Sequence, residues 1–464
     1  MISSTLFVGL RQDIEVNIEK NIIRLIKKKG DGKFEILLYM SKKTAVILSL
    51  FDGNRTVAQV IDAITSLFNV TIEKAKIAVY EIIETYQGQL VLSDKPIKSS
   101  IISTKEVLMC KAIEPARYLS PIVRRKIQRL VLFITDGCAA NCVYCCIGDS
   151  VKHHATNSLT LEQIENLLIQ AKDMNIPEVE ITGGDPLVHK DIVSILEIVI
   201  KYGFKVYIST KIPITSKMAD EFKRIGLKHI SLSVDTIDSD TYEKLVGIEK
   251  KHLINTLAGM KNLNECGISF TVKTTITSLN IKQIPQMIEK IYSNYNCTNY
   301  MLQAYSRGDC YVKQLFASKS DYIYLDEAID KLSCFYDKLN ITKAYNIEKI
   351  IGSKKYLHAS RMICMAGKNA ITIYSNGKYG FCAHSMNDKL TYGDIEKMSL
   401  RDSWYSKELF DFLKPSRNMY TGTKCEHCND FEECNNRRCY VRTLLEFNEL
   451  RNIDPLCPYS EIDF

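Results

Sequence analysis

The stretch Ile134-Thr135-Asp136-Gly137-Cys138-Ala-Ala-Asn-Cys142-Val-Tyr-Cys145 places three cysteines at C-x3-C-x2-C spacing, directly after the apolar run Leu130–Ile134. That run predicts a buried strand, so the cysteines belong to the loop that leaves its carboxyl end. Three thiolates can hold three irons of a cubane cluster and leave the fourth iron open to a small molecule. A zinc site with three cysteines is the alternative that the spacing leaves open.

Strands and helices are predicted to alternate after this loop. Alternation of this kind predicts an α/β fold with a parallel sheet, open or closed into a barrel. Active sites in such sheets lie at the carboxyl ends of the strands, which is where the three cysteines fall. The predicted strands are Leu130–Ile134, Glu178–Thr182, Lys205–Ser209, His229–Val234, Ser269–Thr274 and Tyr300–Ala304, and the helical patterns include Leu161–Met174, Ile192–Tyr202 and Ile281–Tyr292.

Composition limits the class of protein. The 464 residues exceed one ordinary domain, and 46% apolar with 25% charged residues is typical of a globular protein. No apolar run approaches the roughly 20 residues of a membrane span, and the N-terminus lacks a secretory signal, so the expected location is the cytoplasm. Thiols are kept reduced there, and the clusters among the 16 cysteines therefore predict metal or cluster ligands.

The N-terminal third is basic and patterned differently. Residues 1–130 carry 21 Lys and Arg against 13 Asp and Glu, which indicates either an acidic partner or a solvated lysine surface. The predicted winged-helix-like arrangement has strands at Asn21–Lys27 and Phe34–Tyr39 and helices at Lys42–Phe51, Val57–Phe68 and Ile72–Tyr86. Phe51-Asp52-Gly53-Asn54 is expected to close the first helix, and Thr56 to cap the second.

The cysteine loop and the strand pattern resemble the radical S-adenosylmethionine (SAM) enzymes. The resemblance implies a partial (β/α)6 TIM barrel with a 4Fe–4S cluster held by Cys138, Cys142 and Cys145. In that family the open iron binds the amino and carboxylate groups of SAM. One electron then yields a 5′-deoxyadenosyl radical that abstracts hydrogen from the substrate. An electron donor such as a flavodoxin or ferredoxin is therefore an implied partner.

The same resemblance implies contacts to SAM. Thr182-Gly183-Gly184-Asp185-Pro186 resembles the family's GGEP motif, which contacts the methionine amino group; Asp185 replaces the usual Glu and has a shorter reach. Tyr144 stands where the family has an aromatic residue near the adenine. Polar residues at the strand ends, where the family holds the ribose and carboxylate, give further candidates: Ser209, Thr210, Ser233, Asp235, Lys273 and Arg307.

Seven more cysteines resemble the SPASM extension of radical SAM enzymes that modify peptides and proteins. Two auxiliary 4Fe–4S clusters are implied, the first held by Cys364, Cys382 and Cys439 and the second by Cys425, Cys428, Cys434 and Cys457. Four residues separate Cys434 from Cys439 where three are usual, a difference that loops absorb. A zinc knuckle of Cys425, Cys428, Cys434 and Cys439 is the alternative.

Two departures from relatives bear on the chemistry. Residues 365–381 contain no additional cysteine, so the first auxiliary cluster is expected to have an open iron able to bind a substrate thiolate. Ala383 and His384 occupy the place where the sulfatase maturases carry an Asp that acts as a catalytic base. Dehydrogenation by that route is therefore disfavoured.

The N-terminal stretch Thr44–Thr56 and the two helices after it resemble the PqqD-like recognition element, which grips the leader of a ribosomal precursor peptide (RiPP). The leader adds a strand to the sheet edge, so main-chain hydrogen bonds give affinity. Winged helices also read DNA. However, the predicted helix at Ile72–Tyr86 carries three Glu against two Lys, which makes a nucleic-acid partner the weaker alternative.

The predicted organisation is a leader-binding domain at 1–95, a linker at 96–128, the barrel at 129–340 and the SPASM domain at 341–464. The predicted reaction joins a peptide cysteine to a carbon of an acceptor residue as a thioether, as in sactipeptides. Carbon–carbon or carbon–oxygen crosslinking is the main rival, and epimerisation would need a thiol such as Cys310 as hydrogen donor. A DNA-binding iron–sulfur redox sensor is the alternative from another class, and the complete SAM motif argues against it.

Overall fold

The computed structural model describes residues 3–19, 22–28, 34–40, 42–99, 103–109, 127–151, 154–305, 312–345, 366–413, 415–431, 434 and 438–461. The chain divides into two compact units, Met1–Lys126 and Ile127–Phe464. Within the described ranges, no helix combines the length and the apolar character needed to cross a membrane.

The N-terminal unit contains two antiparallel sheets and four helices among its described residues. One sheet has the strand order β5-β1-β6 and the other the order β2-β3-β4. The elements are β1 (Phe7–Leu10), β2 (Ile14–Glu19), β3 (Ile22–Lys28), β4 (Phe34–Tyr39), α1 (Lys42–Ser49), β5 (Asp52–Thr56), α2 (Val57–Phe68), α3 (Ile72–Thr85), β6 (Leu90–Ser93) and α4 (Thr104–Met109).

The predicted helices of this unit are present, with one correction. The first helix ends at Ser49 rather than Phe51, because Asp52–Thr56 pairs with β1 as a strand. Thr56 caps α2 as predicted: its hydroxyl accepts from the Gln59 backbone N–H, and the Gln59 side chain accepts in return. The unit has six described strands where the sequence predicted two or three, and its assignment as a winged-helix recognition element stays a prediction.

The second unit contains the predicted alternation of strands and helices. Its elements are β7 (Arg129–Thr135), α5 (Leu161–Asp173), β8 (Glu178–Gly183), α6 (Ile192–Lys201), β9 (Lys205–Thr210), α7 (Ser216–Arg224), β10 (His229–Ser233), α8 (Ser239–Val246), α9 (Lys250–Glu265), β11 (Ser269–Ile276), α10 (Ile284–Tyr295), β12 (Asn299–Ala304), α11 (Lys319–Phe335), β13 (Asn340–Ala344), β14 (Ala370–Ile373), β15 (Lys378–Gly380), β16 (Thr391–Asp394), α12 (Leu400–Trp404), α13 (Lys407–Leu413) and α14 (Tyr440–Phe447).

Ten described strands of this unit form one sheet, in the order β13-β12-β11-β10-β9-β8-β7-β14-β15-β16. The six predicted strands are β7 to β12, and all of them pair in parallel. The sheet is larger than predicted, since β13 adds a seventh parallel strand and β14 pairs in parallel with the other side of β7. Among the described residues, β13 and β16 are the sheet's edges. The predicted boundary at residue 340 falls on the first residue of β13.

The alternation along a strand decides which side chains reach the site. On β11, Phe270, Val272 and Ile276 are buried in the main core, whereas Lys273 and Thr275 on the other face are only partly buried. Successive side chains of a strand point to opposite faces, so one face packs against helices and the other carries polar groups. The polar residues at the carboxyl ends of the parallel strands line the cavity described next.

Candidate functional site

Hydrogen bonds fix the cysteine loop at the carboxyl end of β7. The buried Asp136 carboxylate accepts from the Thr156 backbone N–H and hydroxyl at 2.8 and 2.6 Å, and from the Asn157 N–H at 3.0 Å. Burial acts to raise the pKa of Asp136, but these hydrogen bonds outweigh it and lower the pKa. Farther along, the Asn141 backbone N–H donates to the Val246 carbonyl at 2.9 Å. The loop is thus fastened at both ends.

Two glycines let the Gly-Gly-Asp-Pro loop pack directly on the cysteine loop. The Gly184 N–H donates to the Thr135 carbonyl at 2.9 Å, and the Asp185 N–H donates to the Gly137 carbonyl at 2.7 Å. A Cβ on Gly184 would lie 2.2 Å from the Gly137 oxygen, and a Cβ on Gly183 would lie 2.3 Å from the Thr135 oxygen. No side chain fits at that distance, so this backbone contact requires glycine at both positions.

A cavity of about 720 Å³ opens above these two loops. Its volume is within the range of about 300–1,000 Å³ that small-molecule sites occupy. The predicted residues that line it are Cys138, Cys142, Tyr144, Cys145, Gly184, Asp185, Ser209, Thr210, Ser233, Asp235 and Lys273. Gly183 is not among the lining residues, since it packs beneath the cysteine loop. Arg307, Cys310 and Cys364 lie outside the described residues.

Asp185 is held by the end of β9. Its carboxylate accepts from the Thr210 hydroxyl at 2.7 Å, from the Lys211 backbone N–H at 2.7 Å and from the Leu187 N–H at 3.0 Å. Burial raises the pKa of Asp185 despite these donors. The shorter side chain therefore locks β8 to β9 while still lining the cavity.

Lys211, which was not singled out from the sequence, forms a buried cluster with Asp235 and Tyr144. Asp235 is 1% exposed and accepts hydrogen bonds from the Tyr144 hydroxyl, from Lys211 Nζ at 2.7 Å and from the Thr275 N–H at 2.8 Å. Burial acts to lower the pKa of Lys211, but the charge of Asp235 outweighs it and raises the pKa. The cluster keeps a cation in the cavity wall. Lys211 directly follows Thr210, the last residue of β9, so a search for polar residues one position beyond each strand end would have included it.

The three thiols of the loop line one cavity, as the ligands of one shared metal cluster would. Burial, with added effects of neighbouring negative charges, raises the pKa of Cys138 to about 12 and that of Cys142 to about 11. Free thiols of this kind stay protonated at neutral pH, and cationic iron supplies the charge that removes the protons. Three thiols on one wall of a polar cavity match a cluster with one iron open to the cavity. Cys138, Cys142 and Cys145 are the residues that would hold it.

The described cysteines after residue 366 fall into two groups. Cys382 and Cys439 pack against the main core, whereas Cys425, Cys428, Cys434 and Cys457 line a separate small pocket. Ala383 and His384, directly after Cys382, line the same cavity as the cysteine loop. In the described part of the chain, no group of three or more Cys, His, Asp or Glu side chains is arranged so that it could bind a single metal ion. The grouping suits the three-plus-four ligand assignment, which itself stays a prediction.

Two family models match the chain. The model of the radical SAM superfamily matches residues 132–291, which include both loops of the cavity. The model of the iron–sulfur cluster-binding SPASM domain matches residues 364–429. The chain carries a radical SAM domain and a SPASM domain. A radical SAM domain uses SAM and a 4Fe–4S cluster, and a SPASM domain binds auxiliary iron–sulfur clusters. The total of three clusters stays a prediction.

Two named relatives align with the radical SAM/SPASM chain at low identity. An AdoMet-dependent heme synthase of Methanosarcina barkeri is 24% identical over 347 residues, which is 70% of this chain and 95% of that protein. A GTP 3′,8-cyclase of Peptoclostridium acidaminophilum is 24% identical over 268 residues, which is 56% of this chain and 82% of that protein.

Two solved structures share the fold. Streptococcus suis SuiB, crystallised with its precursor peptide SuiA, matches with a TM-score of 0.59 at 20% identity and covers 97% of this chain and 100% of that one. The enzyme anSMEcpe with bound AdoMet matches with a TM-score of 0.50 at 13% identity, over 70% of this chain and 93% of that one. These likenesses show an α/β fold with a mostly parallel central sheet.

Proposed function

We propose that this protein is a radical SAM peptide maturase, which binds a ribosomal precursor peptide by its leader and closes a thioether between a cysteine sulfur and a carbon. The N-terminal unit is the proposed leader-binding module. The peptide class is supported by SuiB, which has the same fold and was crystallised with a precursor peptide. The names of the aligned relatives point instead to heme and GTP chemistry, so the substrate class is the first thing to test.

One observation carries the proposal. Cys138, Cys142 and Cys145 line the cavity, and so do Ala383 and His384, which directly follow Cys382. A peptide in this cavity would lie next to the cysteine loop and next to Ala383 and His384, the residues that follow Cys382. Bond formation between a carbon radical and a sulfur needs such proximity, because reacting atoms must lie about 3–3.5 Å apart.

The chain's own residues prepare the cavity for SAM. Gly183 and Gly184 bring the Asp185 loop onto the cysteine loop, and Thr210 fixes the Asp185 carboxylate. The Lys211–Asp235 pair fixes the Tyr144 ring and presents a positive charge to an anionic group such as a carboxylate. When bound, SAM and the clusters would supply a 5′-deoxyadenosyl radical, a site for a thiolate and an acceptor for one electron.

The proposed thioether product determines how many hydrogens the peptide loses for each bond that forms. As the sulfur–carbon bond forms, the peptide loses one hydrogen atom from carbon, one proton from sulfur and one electron. Its mass therefore falls by two hydrogens for each bond. Carbon–carbon and carbon–oxygen crosslinking give the same loss, whereas epimerisation gives none. A DNA-binding sensor would bind a duplex and cleave no SAM.

The test uses the full chain, reconstituted anaerobically with SAM, reductant and the precursor peptide encoded beside it. We expect 5′-deoxyadenosine to form and the peptide to lose two hydrogens per event, with GTP as an inert control substrate. Turnover of GTP, or SAM cleavage without any change in the peptide, would contradict the proposed substrate class.

A pair of variants sharpens this test. Cys382→Ser is expected to retain SAM cleavage but to stop the mass loss, because it removes a proposed ligand beside Ala383 and His384. The control is Cys334→Ser, which changes an exposed cysteine of α11 and is expected to alter neither product. Equal activity in the two variants would remove Cys382 from the mechanism.

A further inference from the structure

A buried arginine lies among the four cysteines of the small C-terminal pocket. Arg438 is 1% exposed and lines this pocket together with Cys425, Cys428, Cys434 and Cys457. Its Nη1 donates to Cys425 Sγ at 3.4 Å and to the Asn452 carbonyl at 2.7 Å, and its Nη2 donates to Cys434 Sγ at 3.9 Å. The guanidinium is therefore aimed at the sulfur atoms.

Among the described residues, Arg438 has no carboxylate partner, and its Nε is buried without a hydrogen-bond acceptor from them. Asp454, which also lines the pocket, is paired with Arg442 at 3.0 Å. Arg438 instead lies over the Tyr420 ring, with its central carbon 4.3 Å from the ring centroid. Stacking on an aromatic face holds the guanidinium in place but supplies only part of a compensating charge.

A buried charge without compensation is strongly destabilising, and proteins pair such charges. Among the described residues, the hydrogen-bond acceptors of Arg438 besides the Asn452 carbonyl are two cysteine sulfurs. Protonated thiols carry no charge, so they cannot balance the guanidinium. An iron–sulfur cluster ligated by thiolates is an anion, and it would provide the missing negative charge. The arginine thus supports a thiolate-ligated cluster at Cys425 and Cys434, and Cys428 and Cys457 line the same pocket.

We propose that Arg438 raises the reduction potential of the cluster held by these four cysteines, by donating charge-assisted hydrogen bonds to its ligand sulfurs. The inference rests on the proposed function and on the second auxiliary cluster that the SPASM resemblance predicts at these four cysteines. Reduction adds one electron and makes the site more negative, so the reduced form gains more from a nearby cation than the oxidised form does. Net charge, hydrogen bonds to sulfur and solvent exposure are the properties that set cluster potentials. This site would then hold an electron more readily.

A second arginine near the pocket, Arg417, donates no hydrogen bond to a cysteine sulfur of the described residues. Arg417 approaches the same pocket, with its central carbon 4.6 Å from the Phe431 ring centroid, but it donates to the Glu426 and Cys428 carbonyl oxygens and not to sulfur. Arg417 therefore serves as a control, because it shares the Phe431 ring with Arg438, whose central carbon lies 5.8 Å from that ring centroid, but donates to none of the described sulfurs.

The experiment uses the full chain with Cys138, Cys142, Cys145 and Cys382 changed to Ala, so that the clusters proposed at the other sites are removed. Potentiometric titration followed by electron paramagnetic resonance gives the midpoint potential of the remaining cluster, and iron analysis counts its occupancy. Trp404, the one Trp of the sequence, is fully buried in this unit, and its fluorescence verifies that each variant is folded.

We expect Arg438→Gln to lower the reduced-to-oxidised ratio at a fixed potential at least about tenfold, which is a shift of ~59 mV for one electron. Arg438→Lys keeps the charge but loses the fork of donors, so its potential should fall between the two. Arg417→Lys should leave the potential unchanged. If Arg438→Gln assembles no cluster, the Lys variant still gives the measurement.

Two results would overturn the inference, and they differ in what else they remove. If the remaining cluster forms but its potential is the same in the parent chain and both Arg438 variants, the role of Arg438 is wrong and the ligand assignment stands. If the parent chain binds no iron on these four cysteines, the ligand assignment fails as well. An equal fall in the Arg417 variant would make the effect one of packing.

Discussion

The ion pair between Lys211 and Asp235 offers the sharpest test of how the cavity wall is built. Asp235→Asn keeps the size of the side chain and an oxygen for the Thr275 N–H, which donates to it at 2.8 Å. It removes the charge that faces Lys211 Nζ at 2.7 Å. The side chains are only 14% and 1% exposed, so water cannot fully replace the lost partner.

The expected cost follows from this burial. Removing one partner of a buried pair destabilises a protein by about 3–5 kcal/mol, since the other charge is left uncompensated. Lys211 lines an open cavity and can gain some hydration, so we expect the lower end, about 3 kcal/mol, or roughly a hundredfold in the folded-to-unfolded ratio. Asp240→Asn breaks a pair with Lys250 at a similar 2.6 Å, but those side chains are 72% and 51% exposed. That control should cost less than about 1 kcal/mol.

Urea unfolding followed by tryptophan fluorescence measures both variants. The single Trp404 is fully buried in the second unit, so its emission follows the unit that contains the site. The midpoint and slope of the transition give the free energy of unfolding. Equal costs for Asp235→Asn and Asp240→Asn would refute the view that a buried pair organises the cavity wall.

Three further predictions concern other parts of the chain. Gly184→Ala should weaken SAM binding at least about tenfold in equilibrium dialysis, because its Cβ would lie 2.2 Å from the Gly137 oxygen. The control Gly88→Ala places a Cβ with nothing within 4 Å and should bind SAM normally, so similar affinities in the two variants would contradict the role of Gly184. Thr56→Ala should destabilise α2 by about 1 kcal/mol and speed amide hydrogen exchange there, and unchanged exchange would mean that the cap contributes nothing. Cys138→Ala should lower the iron content by one cluster, while Cys266→Ala, outside the cavity lining, should not; an equal iron content in the two would exclude Cys138 as a ligand.

The sequence predicted elements well where the apolar pattern is regular. Val57–Phe68 and Phe34–Tyr39 have the predicted bounds, whereas the helix predicted at Ile281–Tyr292 begins at Ile284. Pro285 lies in the first turn of that helix, where a missing backbone N–H costs nothing. The position of this proline therefore indicates the observed start at Ile284. The strand β13 was missed because none of its side chains is fully buried, so no apolar run marks it. The strand β14 was missed because it has only four residues and pairs with β7, far away in sequence.

The site was predictable where a rule linked position to function. The resemblance to the GGEP motif predicted Asp185, and the family's polar residues at strand ends predicted Ser209, Ser233 and Asp235. All four line one cavity, because parallel strands share a carboxyl edge. Arg438 shows what the rule cannot reach. Arginine is seldom buried, and nothing in a Cys-rich stretch indicates that one will turn inward between two thiols. Such a contact depends on tertiary packing and becomes visible only in three dimensions.

The most direct test of thioether formation is mass spectrometry of the modified precursor peptide after treatment with a thiol alkylating agent. We predict that every peptide that has lost two hydrogens also has one cysteine that no longer reacts with the reagent. Fragment ions should then place the link between that cysteine and a carbon of the acceptor residue. A peptide that loses two hydrogens while all of its cysteines remain alkylatable would contradict thioether formation and indicate a carbon–carbon or carbon–oxygen crosslink.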